Sequence, residues 1–307
     1  MGRVFVAGSI NIDVVATADR HPKIGETVKG DEVLYLPGGK GANQAVAAAR
    51  LGAATTLIGR LGKDAFGAGL KAFLAAEGID LGCLLETQEA HTGTAIITVA
   101  QGDNTIVVIP GANALLGPED VGSAPLVKGD VAVSQFEIPL PAIAAFFQRA
   151  RAAGATTLLN PAPAMTASRE LLDLVDLLVL NETEFGALAG TDLRDSDDLV
   201  RFAEAARHIQ ARHDQVICVT LGKRGALALI DGEPLVVSGR VVQAVDSTGA
   251  GDCFAGALAA RLAEGAGLSD ALDFANAAAS ICVQRMGAAS SMPTAEEVDA
   301  LLAGRET

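Results

Sequence analysis

No stretch of this 307-residue chain approaches the ~20 consecutive apolar residues of a membrane span without a polar residue or glycine breaking it. Basic residues are scarce: 23 Lys and Arg stand against 37 Asp and Glu, a formal net charge of -14. That argues against a nucleic-acid groove, which needs basic patches. It leaves room for a phosphate-rich nucleotide, held locally by backbone amides and metal ions. Cysteine is scarce too. Cys83, Cys218, Cys253 and Cys282 are widely spaced and form no C-x-x-C pair, so free thiols in a reducing compartment are expected. The first residues run into the strand-like Val4-Phe5-Val6-Ala7 without the basic region, apolar run and cleavage pattern of a secretion signal. The expectation is a cytoplasmic protein with neither membrane nor nucleic-acid partners.

What is present is a globular composition, 50% hydrophobic and 20% charged, with 34 glycines for tight connections. The length allows one large core with a smaller appendage. From about residue 119 onward, short apolar runs alternate with helix-period segments, as in Val131-Ala132-Val133, Leu177-Leu178-Val179-Leu180 and Ile217-Cys218-Val219. That rhythm predicts an α/β fold in three layers, a mostly parallel sheet covered by helices. Two segments break it. Residues 14–37 alternate charges with β-prone residues, and 92–110 holds two β-runs around Gln101-Gly102-Asp103-Asn104. They predict a small β-sheet lid inserted into a single domain spanning 1–307.

In open α/β sheets ligands bind beyond the strand C-termini. Asn11, Gly39, Glu137, Asn181, Thr220 and Asp252 all follow predicted strands. Asn11 and Asp13 alternate with Ile10 and Ile12, so both project to one face and suit a polyol; the alternative is an Asx-rich turn. Gly38-Gly39-Lys40-Gly41-Ala42-Asn43 is a glycine turn opening a helix, and it is not a Walker loop because no hydroxyl follows Lys40. Gly39 permits close approach, while Lys40 and Asn43 offer donors to hydroxyls. Asn181 and Glu184 sit at a strand-to-helix junction, where they suit a phosphate–metal site or a helix cap. Thr220 and Gly222 are placed to touch nucleotide phosphates.

Asp246-Ser247-Thr248-Gly249-Ala250-Gly251-Asp252 is expected to join a β-branched run, Val241-Val242 with Val245, to an Ala-rich helix. Free N–H groups and the helix dipole suit a phosphate at that turn. An aspartate there makes sense if the phosphoryl group is moving onto a hydroxyl. Gly249, Ala250 and Gly251 then supply amides and Asp252 takes the proton, since phosphoryl transfer needs positioning, charge neutralisation and a base. The plainer alternative is a helix-start aspartate.

Across residues 3–303 the chain resembles the ribokinase family of carbohydrate kinases. Gly38 to Gln44 looks like its N-terminal signature, Asp246 to Phe254 like its C-terminal one, and Asn181-Glu182-Thr183-Glu184 like its N-x-x-E element. The resemblance implies a ribokinase-like fold and an ATP-dependent kinase that phosphorylates the 5-hydroxyl of D-ribose, using Mg2+ and activated by K+. It implies sugar contacts from Asn11, Asp13, Gly39, Lys40, Asn43 and Glu137, with Asp252 as base. Asn181, Glu184, Thr220, Gly222, Gly251 and Asn276 would border ATP. Asp246 and Thr248, with carbonyls of Cys282, Arg285 and Gly287 and with Ser291, would hold the monovalent cation. It also implies a homodimer through the lid. Another small sugar or a nucleoside stays open as substrate. A non-catalytic sugar- or nucleotide-binding regulator on the same scaffold is the alternative from a different class.

Overall fold

The computed structural model describes residues 1–304 apart from 195, 197 and 231; the expected domain of 1–307 thus includes six residues outside the described ones. The chain opens with β1 (Val4–Ala7), β2 (Asn11–Ala18), β3 (Gly30–Gly38), α1 (Lys40–Arg50), β4 (Thr55–Gly62), α2 (Ala65–Ala76), β5 (Leu84–Thr87), β6 (Gly93–Ala100) and β7 (Asp103–Ile109). Two 3-10 turns follow, Gly111–Leu115 and Asp120–Ser123. Then come β8 (Val131–Gln135), α3 (Leu140–Ala153), β9 (Thr156–Asn160), α4 (Arg169–Leu172), β10 (Leu177–Asn181), α5 (Glu182–Ala189) and α6 (Leu199–Ile209). Then follow β11 (Val216–Thr220), β12 (Gly225–Ile230), β13 (Glu233–Ser238), α7 (Ala250–Ala263), α8 (Leu268–Cys282) and α9 (Ala295–Leu302), with 3-10 turns at Gly222–Arg224 and Ala289–Ser291.

Nine strands form the central sheet in the order β13-β12-β11-β10-β9-β8-β1-β4-β5. Every pair from β11 to β5 is parallel, and β12 and β13 add an antiparallel edge. β1 shows why the sheet needs helices on both sides. Its four residues are fully buried, Val4 and Val6 in the core with α1, α7 and α8, Phe5 and Ala7 in the core with α3, α5 and α6. Alternate side chains facing two apolar layers is the expected consequence of an apolar run in a parallel sheet.

The second sheet is four-stranded, β3-β2-β6-β7. Its β6–β7 hairpin pairs Ala100 with Asp103, so the turn is Gln101-Gly102. Both have positive φ, 56° and 80°, as a two-residue hairpin of this twist requires. Among the described residues no helix is long and apolar enough to cross a membrane.

One expectation fails. Val241, Val242 and Val245 are not in a strand; residues 239–249 form an irregular crossing from β13 to α7. β13 is the sheet's last strand, and the chain beyond it finds no further ladder. Instead the Val245 and Asp246 N–H groups donate to the Val283 carbonyl just past α8, at 2.7 and 3.1 Å. Val241 is left fully exposed. Tertiary context here overrides β-propensity.

Candidate active site

The site forms where the N-terminus of α1 meets that of α7. Small residues make this approach possible. A Cβ on Gly256, one turn after Asp252, would lie 2.6 Å from both the Ala47 side chain and the Gln44 carbonyl. With only hydrogen there, α7 closes on α1, and α1 reaches Asp252 with two amides. Asn43 Nδ2 donates to Asp252 Oδ2 and Gln44 Nε2 to Oδ1, both at 2.9 Å. Asp252 is 5% exposed.

Gly249 opens α7 in the left-handed region, φ 77°. The Ala250 N–H closes the preceding turn on the Ser247 carbonyl at 3.2 Å. The Ala250 donor is engaged in the turn, whereas Gly249 and Gly251 keep N–H groups with no protein partner among the described residues.

A cluster of polar side chains faces Asp252 from the small sheet. Asn11 is buried, and its Oδ1 accepts from Asn113 Nδ2 at 2.8 Å. Asn113 also brackets the Ile10 backbone with both amide groups, so the Asn11 Nδ2 is the group left for a ligand. Asp13, two residues on and on the same face, lies close to two other carboxylates. Burial, then the charges of Glu137 and Asp252, push its carboxyl up to about 7. Glu137 follows β8 and is anchored by one oxygen, Oε2, which accepts from the Ser9 hydroxyl at 2.6 Å and the Lys40 N–H at 3.1 Å. The Lys40 side chain carries the balancing positive charge. Asp252 foremost, with Glu137 and Glu184, raises its ammonium above the usual lysine range against the effect of burial. Gly39 is buried at the turn between them.

Two cavities continue from Asp252 along the strand ends. One, of about 180 Å³, runs past Lys40, Asn181, Glu184, Gly249, Gly251 and Asp252. The other, of about 450 Å³, is mostly apolar, walled by Val241, Val242, Phe254, Ala279 and Val283, with Gly222 and Asn276 at its rim. They share Thr220, Ser247 and Gly251. The failed strand is thus one wall of the larger cavity.

Asn181 and Glu184 form a full capping box: Asn181 Oδ1 accepts from the Glu184 N–H at 2.8 Å, and Glu184 Oε2 from the Asn181 N–H at 2.9 Å. The cap and the cavity lining coexist, because each side chain keeps a polar atom for the cavity. Burial raises the Glu184 carboxyl, with the Asn181 hydrogen bond and Lys40 opposing. Asn276 donates to the Ser238 carbonyl at 2.9 Å, which ties α8 to the end of β13.

Asp246 joins two distant segments. Its Oδ1 accepts from the Thr248 N–H and hydroxyl at 2.9 and 2.7 Å, and its Oδ2 from the Gly287 N–H at 2.9 Å. Burial raises its carboxyl, but these hydrogen bonds outweigh it and hold the group below the ordinary range. Nearby, Cys282 Sγ meets Ser291 Oγ at 3.0 Å. Arg285 turns its guanidinium outward to Glu297. Among the described residues no three His, Cys, Asp or Glu side chains converge as a metal site. A bound cation would therefore rely on carbonyls, hydroxyls, waters or a ligand's phosphates.

The structure brings together every residue proposed for the sugar and phosphate sites, and sets Asp246, Thr248 and the 282–291 segment beside them. Gln44, Gln135, Asn160, Asn113 and Ser9 also belong to the site, and no sequence reading assigned them a role. Gln44 stood inside the quoted N-terminal motif; the others carry no local signal.

Residues 1–295 match the model of the pfkB family carbohydrate kinases. The ribokinase of Staphylococcus aureus is 40% identical over 302 residues, covering 97% of this chain and 98% of that one. Among solved structures, Thermotoga maritima ribokinase superposes with a TM-score of 0.86 at 34% identity, covering 99% of this chain and all of that one. Arabidopsis thaliana ribokinase, complexed with ribose and ATP, has a TM-score of 0.86 at 33% identity over 98% of this chain and 99% of that one.

Proposed function

The chain belongs to the pfkB family of carbohydrate kinases, and from that premise we propose that it transfers the γ-phosphoryl group of ATP to the 5-hydroxyl of D-ribose, giving D-ribose 5-phosphate and ADP. The observation that carries this reading is the double amide clamp on Asp252 between two different surroundings. On one side lies a cluster of hydroxyl-matching side chains, on the other a channel to an apolar cavity.

Asp13 and Glu137 accept sugar hydroxyl hydrogens, while Asn11, Lys40 and Asn43 donate to sugar oxygens. Such a small, fully polar set suits a free pentose and fits the ribokinase names of the relatives. The adenine lies against the Val241, Val242 and Val283 walls, and the phosphates enter the narrow cavity. The Gly249 and Gly251 N–H groups at the start of α7 meet the transferring phosphoryl group, where the helix dipole also favours negative charge. Asp252 takes the hydroxyl proton as the phosphorus–oxygen bond forms and the bond to ADP breaks.

Glu184 and Asn181 would hold the water shell of a magnesium ion, which neutralises phosphate charge when bound. Asp246 and Thr248 with the Cys282, Arg285 and Gly287 carbonyls and Ser291 would hold potassium; the all-oxygen donor set suits a hard cation, and the Asp246–Gly287 bond already closes the two segments on each other. Four free thiols fit a cytoplasmic setting. The small sheet serves as lid, and its exposed apolar face pairs with a second copy.

The test is an ADP-release assay over ribose, fructose, deoxyribose and adenosine, with and without potassium. Ribose is expected to turn over fastest. Asp252→Asn should keep ATP binding and lose about 100-fold or more in kcat. Faster turnover of another acceptor would reassign the substrate, and a wild-type rate in Asp252→Asn would remove it as base.

A further inference from the structure

Asp252 is the end of a line of buried amides whose orientation starts at a backbone carbonyl. The Val179 carbonyl on β10 can only accept, and Asn160 Nδ2 donates to it at 2.8 Å. Asn160 therefore turns Oδ1 toward α1. That oxygen also only accepts, so Gln44 must present Nε2 to it, at 3.2 Å. The same nitrogen donates to Asp252 Oδ1 at 2.9 Å. Gln44 Oε1 then points to β8, where it accepts from Gln135 Nε2 at 2.6 Å. Gln135 Oε1 ends the line, buried and without a partner among the described residues. Gln44 and Gln135 are fully buried and Asn160 is 6% exposed.

Turning the Gln44 amide over would face oxygen to oxygen at both Asp252 and Asn160, even if the Gln135 amide turned with it. Two hydrogen bonds would fail together, in an interior where unpaired polar groups are costly. One orphan oxygen at Gln135 is the smaller cost.

We infer that Gln44 is a positioning residue for Asp252, fixing its carboxylate for the incoming hydroxyl, and that Asn160 and Gln135 act through Gln44 by locking its amide. The inference rests on Asp252 being the base. With Asn43 on Oδ2 and Gln44 on Oδ1, each oxygen keeps acceptor capacity for a hydroxyl. The titratable groups facing Asp252 are Asp13 from β2, Lys40 from α1 and Glu184 from α5, with Cys253 and Cys282 behind it. None is changed in the variants below.

The experiment is steady-state kinetics of wild type, Gln44→Met, Gln135→Leu, Asp252→Asn and the Gln44→Met/Asp252→Asn double variant, with KM for sugar and ATP separated from kcat and melting temperature as the check on folding. In folded Gln44→Met kcat should fall about tenfold or more, with KM for ATP unchanged. Gln135→Leu leaves Asp252 its donor but removes the group that holds Gln44 Oε1, and it should lower kcat by less, again with KM for ATP unchanged. A residue that acts through Asp252 costs little once Asp252 is gone, so Gln44→Met should slow Asp252→Asn by less than about twofold. A wild-type kcat in folded Gln44→Met, or the full tenfold loss repeated on top of Asp252→Asn, overturns the inference; if Gln44→Met does not fold, a wild-type kcat in Gln135→Leu does so. A wild-type rate in Asp252→Asn would instead sink the base assignment.

Discussion

Asp13 is folded over Gly38 so closely that a Cβ on Gly38 would lie 2.1 Å from Asp13 Oδ2. The two belong to the paired strands β2 and β3, with Gly38 opposite Asn11 and Asp13 opposite Leu36. The obstructing atoms are the tip of a side chain, so in Gly38→Ala the aspartate swings away and the backbone stays. The variant is expected to fold normally, keep its KM for ATP and raise its KM for the sugar about tenfold or more. Steady-state kinetics against each substrate checks the split; an equal rise for both would mean that the strand pair itself had moved.

Asp13 also sets a pH dependence. Its carboxyl lies near 7 in the folded chain against about 4 in an unfolded one. A group raised in this way contributes stability that is fully present below about pH 4 and is lost as pH rises through about 7. The unliganded protein should therefore lose melting temperature between pH 5 and pH 8 through this group, and Asp13→Asn should flatten the slope and raise stability at pH 8. Sugar affinity should move oppositely, because only the ionised carboxylate accepts two hydroxyl hydrogens. Calorimetric titration with ribose is expected to show tighter binding on passing from pH 6 to pH 8, with proton release near pH 7. Binding independent of pH would remove Asp13 from the sugar contacts.

Much of this was legible because the chemistry is carried by contiguous strings. Gly38 to Gln44 and Asp246 to Asp252 each hold several site residues within one turn, and the apolar rhythm of residues 131–220 reads directly as parallel strands. What escaped was of two physical kinds. The amide line joins Gln44 to Gln135 across 91 residues and to Asn160 across 116, and no spacing rule reaches that far. The Val241–Val245 segment misled because β-propensity describes a side chain's fit to a sheet, whereas here the sheet had already ended at β13. The same valines serve as a cavity wall, a use that local sequence does not distinguish from a strand.

Gly251 separates stability from activity. It is the second residue of α7, and a Cβ there meets nothing within 4 Å. Gly251→Ala should fold and gain up to about 1 kcal/mol from helix propensity. The open space is where the two cavities join, so the methyl group would occupy the path proposed for the phosphates. A melting temperature equal to or above wild type, with kcat reduced about tenfold or more, is expected. Unchanged kcat would place the phosphoryl group elsewhere.

Asp246 tests the proposed cation site. Asp246→Asn retains an oxygen for the Gly287 or Thr248 N–H and removes the charge. Activity without potassium should change little, while the stimulation by added potassium should be lost. Rates measured over a potassium series at constant ionic strength, with caesium and sodium as controls, give the comparison. A wild-type stimulation curve would exclude Asp246 from the cation's surroundings.

The outer face of the small sheet leads to the last expectation. Val33 and Tyr35 on β3 and Val107 on β7 project to one face and are all exposed, between 49% and 62%. Scattered exposed apolar residues are ordinary, but these lie on the two edge strands of one small sheet, with Ile96 at 48% between them. Two such strands leave unpaired N–H and C=O groups beside apolar side chains, the combination that soluble proteins cover. In the dimer proposed above, a second copy of the chain would offer the same face and close both sheets symmetrically. Light scattering should give about twice the chain's 31.1 kDa. Val107→Lys, at the most exposed of these positions, puts a charge on the face and should shift the mass toward the monomer. Because Asp13 and Asn11 lie on β2 of the same sheet, dissociation should raise the KM for sugar more than that for ATP. A monomeric wild type at micromolar concentration would leave the apolar face without this partner.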